Sequence, residues 1–240
     1  MNISSTGKKL FKIGMTVCVL LIALIICVTL YSRHTINTML SESGMFIDKY
    51  NVADNSLTLS GSFNVFGHKE AAGLQKLLDY TSKNVLLNNR SEYIVNLGSE
   101  RFPSAKIRVK KISSKYYITE LSCNYPCITP EFLSGLELIH IEKLDYNSVT
   151  PIYHDEKCFN NCNELKELTV DIGTGYDELK NVDFEYILTE PDNLEQLRII
   201  CNDRESKVYI FGIADELKNI NSDCKITVLS TTDQIDAGNV

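Results

Sequence analysis

The residues of this 240-residue chain best suited to do chemistry are its eight cysteines. Cys18 and Cys27 fall within an uncharged apolar run, whereas Cys123, Cys127, Cys158, Cys162, Cys201 and Cys224 lie beyond it. An even number in an exported domain permits a disulfide framework, whose connectivity the sequence leaves open. Cys123/Cys127 and Cys158/Cys162 each enclose three residues, a spacing that structural zinc also accepts. Burial as a small hydrophobe is a third use for any of them. The Cys158/Cys162 pair lacks the C-x-x-C spacing of thiol oxidoreductases. His154-Asp155-Glu156 gathers donors in one loop, but fewer than a closed zinc site needs. Asn89-Arg90-Ser91 is a glycosylation sequon, used only where the host glycosylates exported proteins. There is no glycine-rich phosphate loop, G-x-S-x-G, H-E-x-x-H or calcium loop. The sequence therefore points away from an enzyme, and calls for no metal and no cofactor.

Where these residues sit depends on a membrane. Residues 13–32, IGMTVCVLLIALIICVTLYS, carry no charge. At 1.5 Å per residue, a helix of this length covers the roughly 30 Å of a bilayer core. A secretory signal peptide would have a shorter apolar stretch and small residues at a cleavage site, and TLYSRHT offers neither. An uncleaved signal anchor is the expectation. Lys8, Lys9 and Lys12 precede the span and Arg33 follows it, so the N-terminus (1–12) stays cytoplasmic and the rest becomes extracytoplasmic. Residues 34–130 hold 11 basic and 8 acidic side chains, and residues 131–240 hold 9 and 23. A C-terminal half with a net charge of −14 repels phosphate backbones, which argues against nucleic acid.

Beyond the span, 33–55 reads as a polar juxtamembrane stalk. Residues 56–115 read as a small α+β capping segment: alternation in 56–67, an amphipathic helix over 68–87, and strands at 93–97 and 106–112. From 116 to 230 the pattern repeats. LELIHIEKL starts at 136, LKELTVDIG at 165 and LEQLRIICN at 194, at intervals of 29, and the next interval lands on DCKITVLS. The tail, 231–240, is polar.

LEQLRIICN matches the LxxLxLxxN signature, and these segments resemble the leucine-rich repeat family. LKELTVDIG departs at the Asn position, and LELIHIEKL has Leu144 there. A poorer copy, ITELSCNYP, lies 18 residues before Leu136 and breaks the period. The resemblance implies an α/β fold: a short solenoid of parallel strands with returning helices, each repeat burying its apolar face against the next. It also implies a concave face lined by the non-core strand positions. On this chain those are Leu138, His140 and Glu142; Glu167, Thr169 and Asp171; Gln196, Arg198 and Ile200; and Lys225, Thr227 and Leu229. The expected function is a membrane-anchored protein–protein interaction module with a protein partner on that face. The alternatives are a structural membrane protein without a ligand face, and an enzyme with a site in 45–115.

Overall fold

The computed structural model describes residues 5–51, 54–61, 65–83, 90–98, 103–148, 150–153, 157–159, 161–172 and 176–230. The sequon at Asn89, the loop 154–156 and the tail 231–240 lie outside them. The fold is mixed α/β. A long apolar helix, α1 (Ser5–Leu40), leads into a nine-stranded mixed sheet whose strands lie side by side in chain order.

A 3₁₀ turn at Ser41–Ser43 and Gly44, at φ 72°, reverse the chain after α1. Strand β1 (Met45–Asn51) then pairs antiparallel with β2 (Ser56–Gly61). Helix α2 (His68–Lys83) crosses over to β3 (Glu92–Gly98), which lies parallel to β2. Strands β4 (Pro103–Ile112) and β5 (Lys115–Cys123) continue as antiparallel neighbours. From β5 every further pairing is parallel: β6 (Lys143–Ser148), β7 (Glu167–Ile172), β8 (Gln196–Cys201) and β9 (Lys225–Ser230). The returns contain α3 (Pro130–Ser134), α4 (Tyr176–Leu179), α5 (Phe184–Thr189) and α6 (Arg204–Ile220).

Alternation decides which way the sheet faces, because successive strand side chains point to opposite sides. Leu144 and Tyr146, Leu168 and Val170, and Leu197 and Ile199 are fully buried, while their neighbours are not. These residues form one hydrophobic cluster with helix residues such as Leu74, Leu77, Phe132, Ile187 and Ile210. Among the described residues the other face of β6–β8 is left uncovered by helices, its side chains half-buried or exposed. Phe159 and Leu165 are buried in the core cluster.

Helix α6 begins where Asp203 accepts a hydrogen bond from the Ser206 N–H at 2.7 Å. That bond, first among its contacts, holds the Asp203 carboxyl below its usual range. A depressed carboxylate stabilises above its unfolded pKa and loses that effect as pH falls through the folded value. Asp203→Ala is expected to cost about 1 kcal/mol at neutral pH. In denaturant titrations the gap from wild type should close in acid.

Several expectations are corrected. The parallel strands are not a solenoid set apart from a cap: they continue the sheet begun by β1–β4. Residues 33–55 are not a free stalk. α1 runs on to Leu40, burying Ile36 and Leu40, and β1 occupies Met45–Asn51. Arg33 Nη2 donates to the carbonyls of Ile47 (3.1 Å) and Asp48 (3.3 Å), and Asn37 Oδ1 accepts from the Ile47 N–H at 2.7 Å. These three bonds cap the outer edge of β1. The return between β7 and β8 holds two short helices, α4 and α5, the second started by Asp183 capping the Tyr186 N–H. The repeat frame at 136 is displaced. The sixth strand begins at Lys143, and its register partner is Glu167, 24 residues on rather than 29. LELIHIEKL carries apolar residues enough for two frames; Leu144 and Tyr146 take the buried strand positions with Ile141 buried just ahead of them, while Leu136 and Leu138 are buried in the preceding turn.

Candidate functional site

The uncovered face of the sheet gathers most of the residues singled out in the sequence. Glu167, Thr169 and Asp171 on β7, Gln196, Arg198 and Ile200 on β8, and Lys225, Thr227 and Leu229 on β9 occupy its alternating positions. His140 and Glu142 do not. The displaced frame leaves them in the turn before β6, where His140 Nδ1 sits 3.0 Å from Glu164 Oε1 and edge-on to the Tyr117 ring. The Glu142 carbonyl accepts the N–H groups of Lys166 and Glu167, joining neighbouring turns rather than lining the face. Leu138, assigned to the same row, is buried. The strand residues that replace them are Lys143, Asp145 and Asn147. ITELSC held the signal for this shift: starting the next copy at Ile141 gives intervals of 23 and 24 on either side.

Strand register arranges this face in rows. One row crosses six strands: Arg108, Glu120, Lys143, Glu167, Gln196 and Lys225 are consecutive partners. Arg108 Nε lies 3.0 Å from Glu120 Oε2, and Lys143 Nζ 2.7 Å from Glu167 Oε1. Arg198 reaches across to Glu167 Oε2 at 3.2 Å and Gln196 Oε1 at 2.9 Å. The Lys143 hydrogen bond holds the Glu167 carboxyl below its ordinary range, and Glu167 in turn raises the Lys143 ammonium. Such surface pairs contribute little to stability. Their larger effect is on register, since a slip of one residue would break the row. From Arg108 to Gln196 this row is satisfied internally.

Toward the C-terminal ends of the strands the face changes character. Burial, the dominant influence, pushes both the Asp145 and Asp171 carboxyls up. Asp145 accepts from the Thr169 hydroxyl, and Asp171 accepts from Asn202 Nδ2 at 2.8 Å. Asn202, the signature asparagine, also donates to the Ile172 carbonyl at 3.3 Å, tying the end of β8 back to β7. Asn147, register partner of Asp171, has a buried Oδ1 without a hydrogen-bond donor among the described residues. This end of the face is rich in acceptors, partly desolvated and short of donors.

The thiols are distributed otherwise. No disulfide joins any of the eight cysteines. Cys123 and Cys127 hydrogen-bond to each other near the Ser104 carbonyl, a contact that drives Cys123 up and holds Cys127 down. Cys162 and Cys201 are pushed up by burial, to about 12 and about 11, which keeps both protonated. Cys158 and Cys224 are buried as well. Among the described residues no three His, Cys, Asp or Glu side chains converge as a metal-ion site. A cavity of about 220 Å³ lies at the other end of β2–β4, lined by Asp54, Asn55, Arg90, Ser91, Glu92, Tyr93, Ile94 and Arg108. Its lining contains neither histidine nor cysteine. Comparison with family models, curated proteins and solved structures matches none of them to this chain.

Proposed function

We propose that the chain is a single-pass, membrane-anchored interaction module that binds a protein partner on the uncovered face of its parallel strands. The observation that carries the reading is the acceptor-rich end of that face. Asp145 and Asp171 are partly desolvated carboxylates with one protein donor each, and the buried Asn147 Oδ1 beside them has none among the described residues, which is costly. A partner presenting lysine, arginine or amide donors would satisfy them. The surplus of acidic residues in 131–240 would steer such a partner inward.

A leucine-rich-repeat-like organisation of 116–230 belongs to the same proposal. It is supported by the corrected frame, with Ile141, Leu165 and Leu194 each buried just ahead of a parallel strand and Ile118 buried within β5. It is supported too by backbone links from turn to turn: Glu142 N–H to Thr119, Lys166 to Glu142, Glu195 to Lys166, and Lys225 to Glu195. The anchor reading draws on α1. Its apolar part is exposed and long enough to cross a bilayer. Its far end is hydrogen-bonded into the sheet, an arrangement that a cleaved signal sequence would not need. The lysines ahead of the span favour a cytoplasmic N-terminus.

The test places a photocrosslinking side chain at Thr169 in full-length protein in intact cells. Asp145→Lys/Asp171→Lys should reduce the crosslinked partner at least about tenfold, the scale of losing buried charge-assisted bonds. Lys143→Glu/Glu167→Lys/Arg198→Glu inverts the satisfied row while retaining opposite-sign neighbours, and should reduce it much less. Unchanged crosslinking in the first variant would sink the binding-face assignment.

A further inference from the structure

We propose that the hairpin end of β1–β2 rests in the lipid headgroup layer, so that the bilayer surface is a docking surface for the domain as well as its anchorage. This inference relies on the anchor reading of α1.

The geometry is set by the chain reversal at Ser41–Gly44. Helix α1 leads away from the apolar span, and β1 returns alongside it in the opposite direction. Arg33, the first residue past the span, is fixed to the Ile47 and Asp48 carbonyls. Tyr50 lies two to three residues further along the returning strand, about 7–10 Å at strand rise. The same distance along a helix is about four to seven residues. Tyr50 therefore stands level with the stretch from Ile26 to Thr29, inside the apolar span. Val28 is half-buried, although the span residues around it are exposed.

The bilayer cannot avoid this by sitting lower on the helix. Residues 13–27 would cover only about 22 Å, short of the roughly 30 Å hydrocarbon core. Lys12 blocks extension the other way. The hairpin end must then lie at interfacial depth.

Its chemistry suits that depth. The Tyr50 ring is 51% exposed on an edge strand, with its hydroxyl on Asn55 Oδ1 at 3.2 Å. An amphipathic ring of this kind is favoured at headgroup level. Strand register brings Glu92, Lys110 and the β4–β5 turn to the same end of the sheet. Arg90, Lys110 and Lys111 are thus grouped with Asp54 and Glu92. The cavity between Arg90, Arg108, Asp54 and Glu92 lies here as well. Mixed charges with basic residues in slight excess match a zwitterionic headgroup, which carries both signs.

The chain has no tryptophan, so single substitutions report without background. Full-length protein with Tyr50→Trp, Leu21→Trp or Phe211→Trp would be placed in phosphatidylcholine vesicles containing lipid brominated at shallow or deep acyl positions. Phe211 is exposed on α6, far along the sheet from β1, and serves as the solvent control. Leu21→Trp should be quenched by deep bromine. Tyr50→Trp should lose at least about half its emission to shallow bromine, as expected at interfacial depth, while Phe211→Trp is unchanged. Lys49→Trp reads the same depth if Tyr50→Trp fails to fold. Quenching of Leu21→Trp without quenching at 49 or 50 overturns the docking surface and leaves the anchor standing. Absence of quenching at Leu21→Trp removes both.

Discussion

Leu197→Ala is expected to lower the unfolding free energy by about 3 kcal/mol, from the transfer term plus the cavity left behind. Leu197 is fully buried on β8, with Leu168 beside it on β7 and Ile226 on β9. Neither neighbour can move in without leaving its own strand position, so the cavity persists. Ile226→Ala removes a side chain of similar size from the last strand, where it is only partly buried. Its cost should be about 1 kcal/mol, because little of the hole is closed off from water. Urea denaturation of the two variants in the same detergent checks the pair. Equal losses would mean that β9 is not the rim of the sheet.

Gly73→Val is expected to cost about 2–3 kcal/mol by overpacking. A side chain at this α2 position would meet the Met45 methyl at 2.6 Å and Ser43 Cβ at 2.8 Å, both in the buried turn joining α1 to β1. Relief requires that turn to lift, which strains the hydrogen bond from the Ile47 N–H to Asn37. Exchange at the Ile47 amide should accelerate more than exchange in β7 or β8. Gly212→Val on α6 is the control. That glycine is exposed with nothing near its missing Cβ, so its variant should stay within about 0.5 kcal/mol, as surface substitutions do.

The sequence revealed strands where apolar alternation is unambiguous. Leu168/Val170 and Leu197/Ile199 permit one frame each, and the interval of 29 between β7, β8 and β9 is their strand register. LELIHIEKL permits two frames, and only burial of Ile141 under the sheet selects between them. That ambiguity cost the assignment of Lys143, Asp145 and Asn147 to the face and misplaced His140 and Glu142. The stalk was misread because Ile36 and Leu40 are the only buried apolar residues in the otherwise polar stretch that ends α1. The row from Arg108 to Lys225 was illegible for another reason. Its members are separated by 12 to 29 residues, and only pairing of the strands brings opposite charges together.

The bonds from Arg33 and Asn37 to β1 bear on how the domain can be cut free. An exposed strand edge invites pairing with another chain unless something blunts it. At β9 the sheet ends in Lys225–Ser230, a run with one charge and no proline. At β1 the guard is the end of the long apolar helix α1 itself. A soluble fragment trimmed after Leu40 would uncover the β1 edge and strip Met45 and Ile47 of their cover, leaving two sticky rims instead of one. The usable cut falls ahead of Arg33, where the fragment keeps its own plug.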